Sequence, residues 1–314
     1  MTTISEWWMW LSFLAFVAIM LIIDLFLLGG RKAHRVTSKE ALIWTILWFT
    51  LAIIFNLLLW WYLIENFTIS VANEKALEFF TGYLIEKSLS FDNIFVFLII
   101  FRYFAIPTKY QHRVLIYGVL GAIVMRLILI LLGIWVVNQF HWVLYIFGLF
   151  LLITGIKMFV FADEKPELSK NPLLHWMRNH LRITKELHKE RFFIFENQLL
   201  HATPLFMVLV LIEVSDLIFA VDSIPAIFSV TNDPFIVFTS NIFAILGLRA
   251  LYFLLANLHR RFYFLRHGLA FILVFIGFKM LIEYWFKIPI FIALGVVIAT
   301  LVFCIALSAW YKEK

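Results

Sequence analysis

A single cysteine, Cys304, leaves this chain without a Cys pair for redox exchange and without a thiolate set for Zn²⁺ or Cu⁺. Charge is scarce as well. Asp, Glu, Lys and Arg make up 15% of the residues and apolar ones 64%, where a soluble domain carries about 25% and roughly 45–50%. That deficit excludes an ordinary soluble protein. No P-loop, ATP-binding signature or Ser, His and Asp set stands in the sequence, so neither a membrane enzyme nor an ATP-driven pump is expected. The nine histidines lie in loops or near the ends of apolar runs, which leaves no soft metal ligand in the middle of one.

What the chain has in quantity is apolar runs, at 7–28, 40–64, 79–101, 114–137, 142–161, 205–229, 235–257, 267–285 and 288–310. Nearly all are long enough for the roughly 30 Å of hydrocarbon in a bilayer. The fold class is therefore all-α, a polytopic membrane protein with nine transmembrane helices. Glu6 is the only charge before the first run, and neither a basic n-region nor a small-residue cleavage site is present, so that run is read as a retained span. The connections alternate in charge: nineteen Lys and Arg fall on one side and only Lys75 and Lys287 on the other. The positive-inside rule then puts the N-terminus outside and the C-terminus in the cytoplasm. The net charge of +6 is met by anionic inner-leaflet lipid, without nucleic acid.

Eleven charges remain inside the runs: Lys87, Arg126, Lys157, Arg249 and Lys279 against Asp24, Glu86, Asp92, Glu213, Asp216 and Asp222. Each costs at least about 2.5–3.5 kcal/mol at mid-membrane, so mutual pairing, a wet cavity or both is required. Lys157 and Lys279, close to run ends, are placed to snorkel to headgroups. Asp24 lies a turn from the cytoplasmic end of the first run, where water or Arg31 and Lys32 would satisfy it.

These charges repeat in order. Residues 86–93 read "EKSLSFDN" and 216–223 read "DLIFAVDS"; Arg126 then matches Arg249, and "ITGIKM" at 153–158 matches "FIGFKM" at 275–280. The offsets are 130, 123 and 122 residues, a unit of three helices. An odd number of spans per unit inverts the second copy, the construction of secondary transporters, whose substrate site lies near the midplane. The segments expected are 1–75 with two helices, 76–161 as first repeat, 162–204 as cytoplasmic loop, 205–285 as second repeat, and 286–314 as last helix and tail.

Within "LIEVSDLIFAVDSIPAIF", Glu213 and Asp216 share a helix face, whereas Asp222 lies about 120° round from Asp216 and about 9 Å along. Pro225 has no N–H for the carbonyl of Val221, and a helix break is expected there, with a freed carbonyl beside Asp222. Carboxylate and carbonyl oxygens suit hard divalent cations; Mn²⁺ fits well, and Mg²⁺ and Ca²⁺ stay open on ligand type alone.

The segments "YLIEKSLSFDNIFVF", "EVSDLIFAVDSIPAIFSVTNDPF", "SNIFAILGLRALYFLL" and "VFIGFKMLI" resemble the TerC family of integral membrane proteins, its Alx branch most closely, over nearly the whole chain. The resemblance implies a bacterial inner-membrane protein of manganese homeostasis that exports Mn²⁺, in a family named for tellurium resistance. Carried over by motif, Glu86, Asp92, Asn93, Glu213, Asp216, Asp222 and Ser223 are the metal-site candidates. The expected mechanism binds Mn²⁺ as substrate at Asp92 and Asp222 with help from Glu86, Glu213 or Asp216. The repeats then rock about it, and protons return on the emptied carboxylates. No cofactor is expected. Arg126, Arg249 and Lys87 are the counter-charges, the arginines acting either between turnovers or as permanent pairs that fix helix packing.

In the 162–204 loop, "NPLLHWMRNHLRITKELHKERFF" reads as an inner-leaflet amphipathic helix with Pro172 in its first turn or as a solvated linker, and "RFFIFENQLLHATP" as a hairpin about Asn197 and Gln198. Cys304 is expected to face lipid. The alternative to transport is an assembly or interaction protein that supports metal or tellurium resistance without moving ions.

Overall fold

The computed structural model describes residues 4–27, 37–140, 142–160, 171–184, 186–196, 198–256, 264–283 and 285–310, leaving out the side chains of 24–27 and 309. The expectations for the Asp24 side chain, Arg31, Lys32, Arg35, Asn197, Arg260, Arg261 and the tail lysines lie outside these residues. The described chain is helical apart from one hairpin. Its elements are α1 (Trp7–Leu27), α2 (Ser38–Asn66), α3 (Ile69–Tyr103), α4 (Thr108–Gln139), α5 (Val143–Val160), α6 (Pro172–His180), β1 (Phe193–Glu196), β2 (Leu199–Ala202), α7 (Pro204–Phe228), α8 (Pro234–Leu246), α9 (Leu248–Ala256), α10 (Leu265–Ile282) and α11 (Ile290–Trp310).

Seven helical stretches among the described residues are long and apolar enough to cross a membrane: α2, α4, α5, α7, α8 with α9, α10 and α11. Over Trp7–Ile23, α1 is a shorter apolar helix. The longest helix, α3, stands apart because Glu86, Lys87 and Asp92 interrupt its middle. Large apolar side chains such as Ile43, Ile54, Leu131, Trp135, Phe291 and Phe303 point outward, as in a lipid-facing surface. These features make the chain a multi-pass membrane protein.

Polar side chains set several helix starts. Thr37 and Thr68 accept from Glu40 N and Val71 N, and Asp233 accepts from Phe235 N and Ile236 N while its second oxygen takes Ile4 N at 2.9 Å. That last bond ties the start of the chain to α8, which is buried from Phe235 to Leu246. Phe13, Phe55, Phe79, Phe235, Phe238 and Phe243 interlock around it, with ring centroids 5.0–6.4 Å apart.

Two helix breaks differ from expectation. The run at 235–257 is two helices meeting at Gly247, whereas α7 passes through Pro225 and continues to Phe228. The proline removes one donor in the last turn only, and the chain beyond it restores the pairing: Ser229 N bonds Pro225 O at 3.1 Å and Thr231 N bonds Ile227 O at 3.0 Å. No break therefore forms beside Asp222.

α3 packs on α7 and α8, α4 on α7 and α8, and α5 on α10. The α5–α10 seam is the tightest. A Cβ on Gly155 would lie 2.8 Å from Val274 N and 2.9 Å from Ala270 O; one on Gly277 would lie 2.6 Å from Leu152 N and 2.7 Å from Gly148 O. Adding 122 to 155, 152 and 148 gives 277, 274 and 270, so the two contacts are equivalent under the offset that relates the two lysines. Only glycine permits this backbone approach, the usual basis of close membrane-helix packing.

Outside the bundle, α6 starts at Pro172 behind an Asn171 cap and ends at His180, shorter than its sequence suggested because 181–184 turns extended and Ile183 bridges Ala202. The expected hairpin is present as β1 and β2, antiparallel, with Phe195 opposite Leu200 and Gln198 at φ 61° in its turn.

Candidate ion-binding centre

Glu86 is the central residue of α3 and Asp216 the central residue of α7. Both are buried, and both reach Arg126 of α4, itself 1% exposed. Arg126 donates to Asp216 twice, from Nε to Oδ2 at 3.3 Å and from Nη2 to Oδ1 at 3.1 Å. Its Nη1 bonds Glu86 Oε1, Ser223 Oγ (3.3 Å) and Asn241 Oδ1 (3.2 Å). Asn241 of α8 also donates to Glu86 Oε2 at 3.2 Å, and Asn93 Nδ2 donates to Asp216 Oδ1 at 3.3 Å. The guanidinium is thus a fork between two carboxylates, the geometry in which arginine pairs best.

Under the 130-residue offset Glu86 corresponds to Asp216 and Asn93 to Ser223. The contacts obey the same relation: Asn93 binds Asp216, and Ser223 lies against Glu86 and Arg126. Arg126 sits where Glu86 of α3 meets Asp216 of α7.

Asp92 and Asp222 form a second group, away from Arg126 and within electrostatic reach of each other. Asp92 Oδ1 is 3.9 Å from Arg266 Nε of α10, and Asp222 bonds Thr154 of α5. Two buried acceptors, Asp222 Oδ1 and Asn93 Oδ1, have no hydrogen-bond partner among the described residues. A buried oxygen in that condition costs about 1–3 kcal/mol, which a bound cation would recover. Glu213 lies apart from both groups against Gly121, where a Cβ would collide with its carboxylate, and within reach of the Asp216 charge.

The seven candidates are therefore distributed over neighbouring positions. Among the described residues no three His, Cys, Asp or Glu side chains form one metal-binding group.

Two expected counter-charges lie elsewhere. Lys87 does not face Glu86, because successive helix residues diverge by about 100°; its Nζ donates to Ala244 O at 3.2 Å, beside the break at Gly247. That break frees carbonyls of the last turn of α8, and a Cβ at Gly247 would come within 2.5 Å of the ammonium. Arg249, the sequence counterpart of Arg126, is buried against His112, with Nη1 3.5 Å from Nδ1. Asn241 is the residue that sequence reading missed. Its signal was "TSN" at 239–241, three polar residues inside a run, all fully buried.

Lys157 is exposed as a snorkelling lysine would be, but Lys279 is buried and donates to Ser229 O. Cys304 is likewise buried, against Gly268 and not toward lipid. Beyond the C-terminal end of α7, two adjoining cavities of about 330 Å³ share Glu78, Ser229, Val230 and Glu283 in their walls; Lys75 pairs with Glu78 at 2.8 Å.

Comparison with known proteins gives the following likenesses. The pattern of the "Integral membrane protein TerC family" matches residues 71–314. A protein of Escherichia coli (strain K12) named "Putative membrane-bound redox modulator Alx" is 55% identical over 314 residues, covering 100% of this chain and 98% of its own. Its namesake in Photorhabdus laumondii is 51% identical over 313 residues, with the same two shares. An uncharacterized membrane protein of Myxococcus xanthus is 48% identical over 289 residues, 92% of this chain and 88% of that one. No solved structure matches.

Proposed function

The chain belongs to the TerC family of integral membrane proteins, and from that premise we propose that it is a secondary transporter exporting Mn²⁺ through the carboxylates between α3 and α7. One observation carries the reading: Asp222 Oδ1 and Asn93 Oδ1 are buried acceptors without hydrogen-bond partners among the described residues, next to Asp92, in a membrane interior where idle oxygens are costly. Carboxylate and amide oxygens are ligands for hard cations and admit Mn²⁺, Mg²⁺ and Ca²⁺ alike; Mn²⁺ is taken as the cargo from the family resemblance, and no soft-metal chemistry is invoked.

The proposed architecture has nine spans, with α1 and α3 added to the seven apolar helices, and two inverted repeats, α3–α5 and α7–α10. The paired glycine contacts at the α5–α10 seam and the paired Asn93–Asp216 and Ser223–Glu86 contacts support the inversion. The segments keep the boundaries 1–75, 76–161, 162–204, 205–285 and 286–314. The chain lies in a bacterial inner membrane with its N-terminus outside and C-terminus in the cytoplasm, which puts the Glu78 and Glu283 cavities outside.

Mn²⁺ enters from the cytoplasm and is held by Asp92, Asp222 and the Asn93 amide oxygen. Arg126 meanwhile neutralises Glu86 and Asp216, so the ion meets two acids and not four. The repeats rock about this centre and open it outward. Protons taken up by the emptied carboxylates return inward, making the exchange an antiport. Glu213 is the cytoplasmic waypoint.

The name of the Escherichia coli and Photorhabdus laumondii relatives refers to redox modulation. A chain with one buried thiol has no pair for thiol exchange, so its effect on redox state would be indirect, through metal content. Expression in Mn²⁺-sensitive bacteria tests the reading: wild type lowers cellular Mn²⁺, and Asp222→Asn does not. If acid-to-amide changes leave resistance intact while deletion of the 162–204 loop abolishes it, the chain is an assembly protein instead.

A further inference from the structure

The hairpin has more apolar surface than a water-facing loop would carry. Phe195 is 79% exposed and Leu200, directly opposite it, 53%; Phe193 lies on the same strand face and Leu199 adds to the exposed tip. A two-stranded hairpin alone in water is marginally stable, and this one is held at its base by the Ile183 bridge to Ala202 and by α7, which leaves the Phe195 and Leu200 face uncovered. Its position says what that face meets. The Phe193 ring packs on Phe206, in the first turn of α7, with centroids 4.5 Å apart. The Phe195 face therefore lies level with the point where α7 enters the membrane.

The elements around it are tied down and basic. Ala202 N bonds Arg182 O at 2.8 Å and Thr184 N bonds Ala202 O at 3.0 Å, which joins the hairpin to α6 and its exposed Trp176. Arg182 and Arg191 flank the base of the hairpin, where Ala202 N meets Arg182 O and Thr203 Oγ1 donates to Arg191 O, and Arg178 and Lys189 are exposed in the adjoining chain. Of the nearby acids, Glu190 is neutralised by Arg113 at 3.1 Å, and Arg113 also lies over the Phe192 ring; Glu186 is exposed in the adjoining loop, and Glu196, at the hairpin tip, lies on the strand face opposite Phe195. Exposed aromatics beside Lys and Arg on a segment anchored at a helix entry suit the headgroup layer, where rings sit at the boundary and basic groups meet lipid phosphate.

We propose that hairpin β1–β2, braced by α6, is an interfacial foot that inserts Phe195 and Leu200 into the anionic lipid headgroup layer of the cytoplasmic leaflet. The inference goes beyond transport and rests on the proposed orientation only for which leaflet is meant.

The test uses the full chain in a Cys304→Ser background, carrying a spin label at Phe195→Cys or, for comparison, at Glu186→Cys. The protein is placed in nanodiscs of phosphatidylcholine with or without phosphatidylglycerol. Power saturation with oxygen and with a water-soluble nickel chelate reads depth. With phosphatidylglycerol, position 195 favours oxygen and position 186 favours nickel, and the oxygen preference at 195 falls when the anionic lipid is omitted. Nickel access at 195 equal to that at 186 overturns the proposal, as does shielding from both reagents, which means a protein contact. A depth unchanged without phosphatidylglycerol overturns recognition of anionic lipid. An impermeant maleimide applied to either face of membrane vesicles with Glu186→Cys reports orientation separately, so an error in topology is not mistaken for failure of the foot.

Discussion

Replacing Arg126 by glutamine removes the charge that holds Glu86 and Asp216 together while keeping much of the side chain's length. The fork to Asp216 and the Nη1 bonds to Glu86, Ser223 and Asn241 are lost together. Two carboxylates, both nearly inaccessible, are left facing each other. Breaking a buried pair in this way costs about 3–5 kcal/mol, chiefly because the abandoned charge stays buried. That is a large share of the roughly 5–15 kcal/mol that stabilises a folded protein. Neutralising the acids in the same chain, as Glu86→Gln with Asp216→Asn and Arg126→Gln, removes the uncompensated charge and recovers most of the loss. Denaturation of the purified protein in detergent, read as a cycle of single and combined variants, gives the coupling directly. If Arg126→Gln costs no more than the about 0.5 kcal/mol typical of a surface change, the fork is incidental and the centre has been misread.

The α5–α10 seam predicts that Gly155→Leu and Gly277→Leu destabilise similarly, by at least the 1–3 kcal/mol of ordinary overpacking, because each drives a side chain into opposing backbone; Gly295→Leu, with open space around it, serves as the neutral control in the same thermal assay. Asn241→Ala strips one bond each from Arg126 and Glu86 and should cost about 1–3 kcal/mol, with weakened Mn²⁺ transport; unchanged stability would make Asn241 a bystander. Gly121→Ala pushes on the Glu213 carboxylate, so a loss of thermal stability that Glu213→Ala relieves is expected if the glycine serves to seat that acid.

Helix positions were legible in the sequence because bilayer thickness sets their length, and apolar runs show it directly. The repeat proposed for α3–α5 and α7–α10 rests on a related signal: acids, arginine and lysine inside apolar runs are rare, so their recurrence in order stands out. The partners were less legible. Spacing placed Glu86 and Lys87 together, but a helix turns them apart, and only the tertiary packing reveals that Lys87 meets the Ala244 carbonyl beside Gly247. Arg126 and Arg249 looked equivalent, yet one reaches two carboxylates and the other lies against His112. Pro225 promised a break, but losing one donor near a helix end is too small a perturbation when Ser229 and Thr231 close the turn. Asn241 escaped notice because a neutral amide inside an apolar run draws less attention than a charge.

The central claim is that Asp92 and Asp222 carry Mn²⁺ through the membrane, and flux in proteoliposomes tests it most directly. Wild type, Asp92→Asn and Asp222→Asn are compared across an imposed pH gradient, with Mg²⁺, Ca²⁺ and Zn²⁺ as competitors. Mn²⁺ movement by the wild type with protons moving the opposite way, lost in both variants, is the predicted result. Wild-type liposomes that move no Mn²⁺ under any gradient, or variants that move it as fast as wild type, would contradict the account.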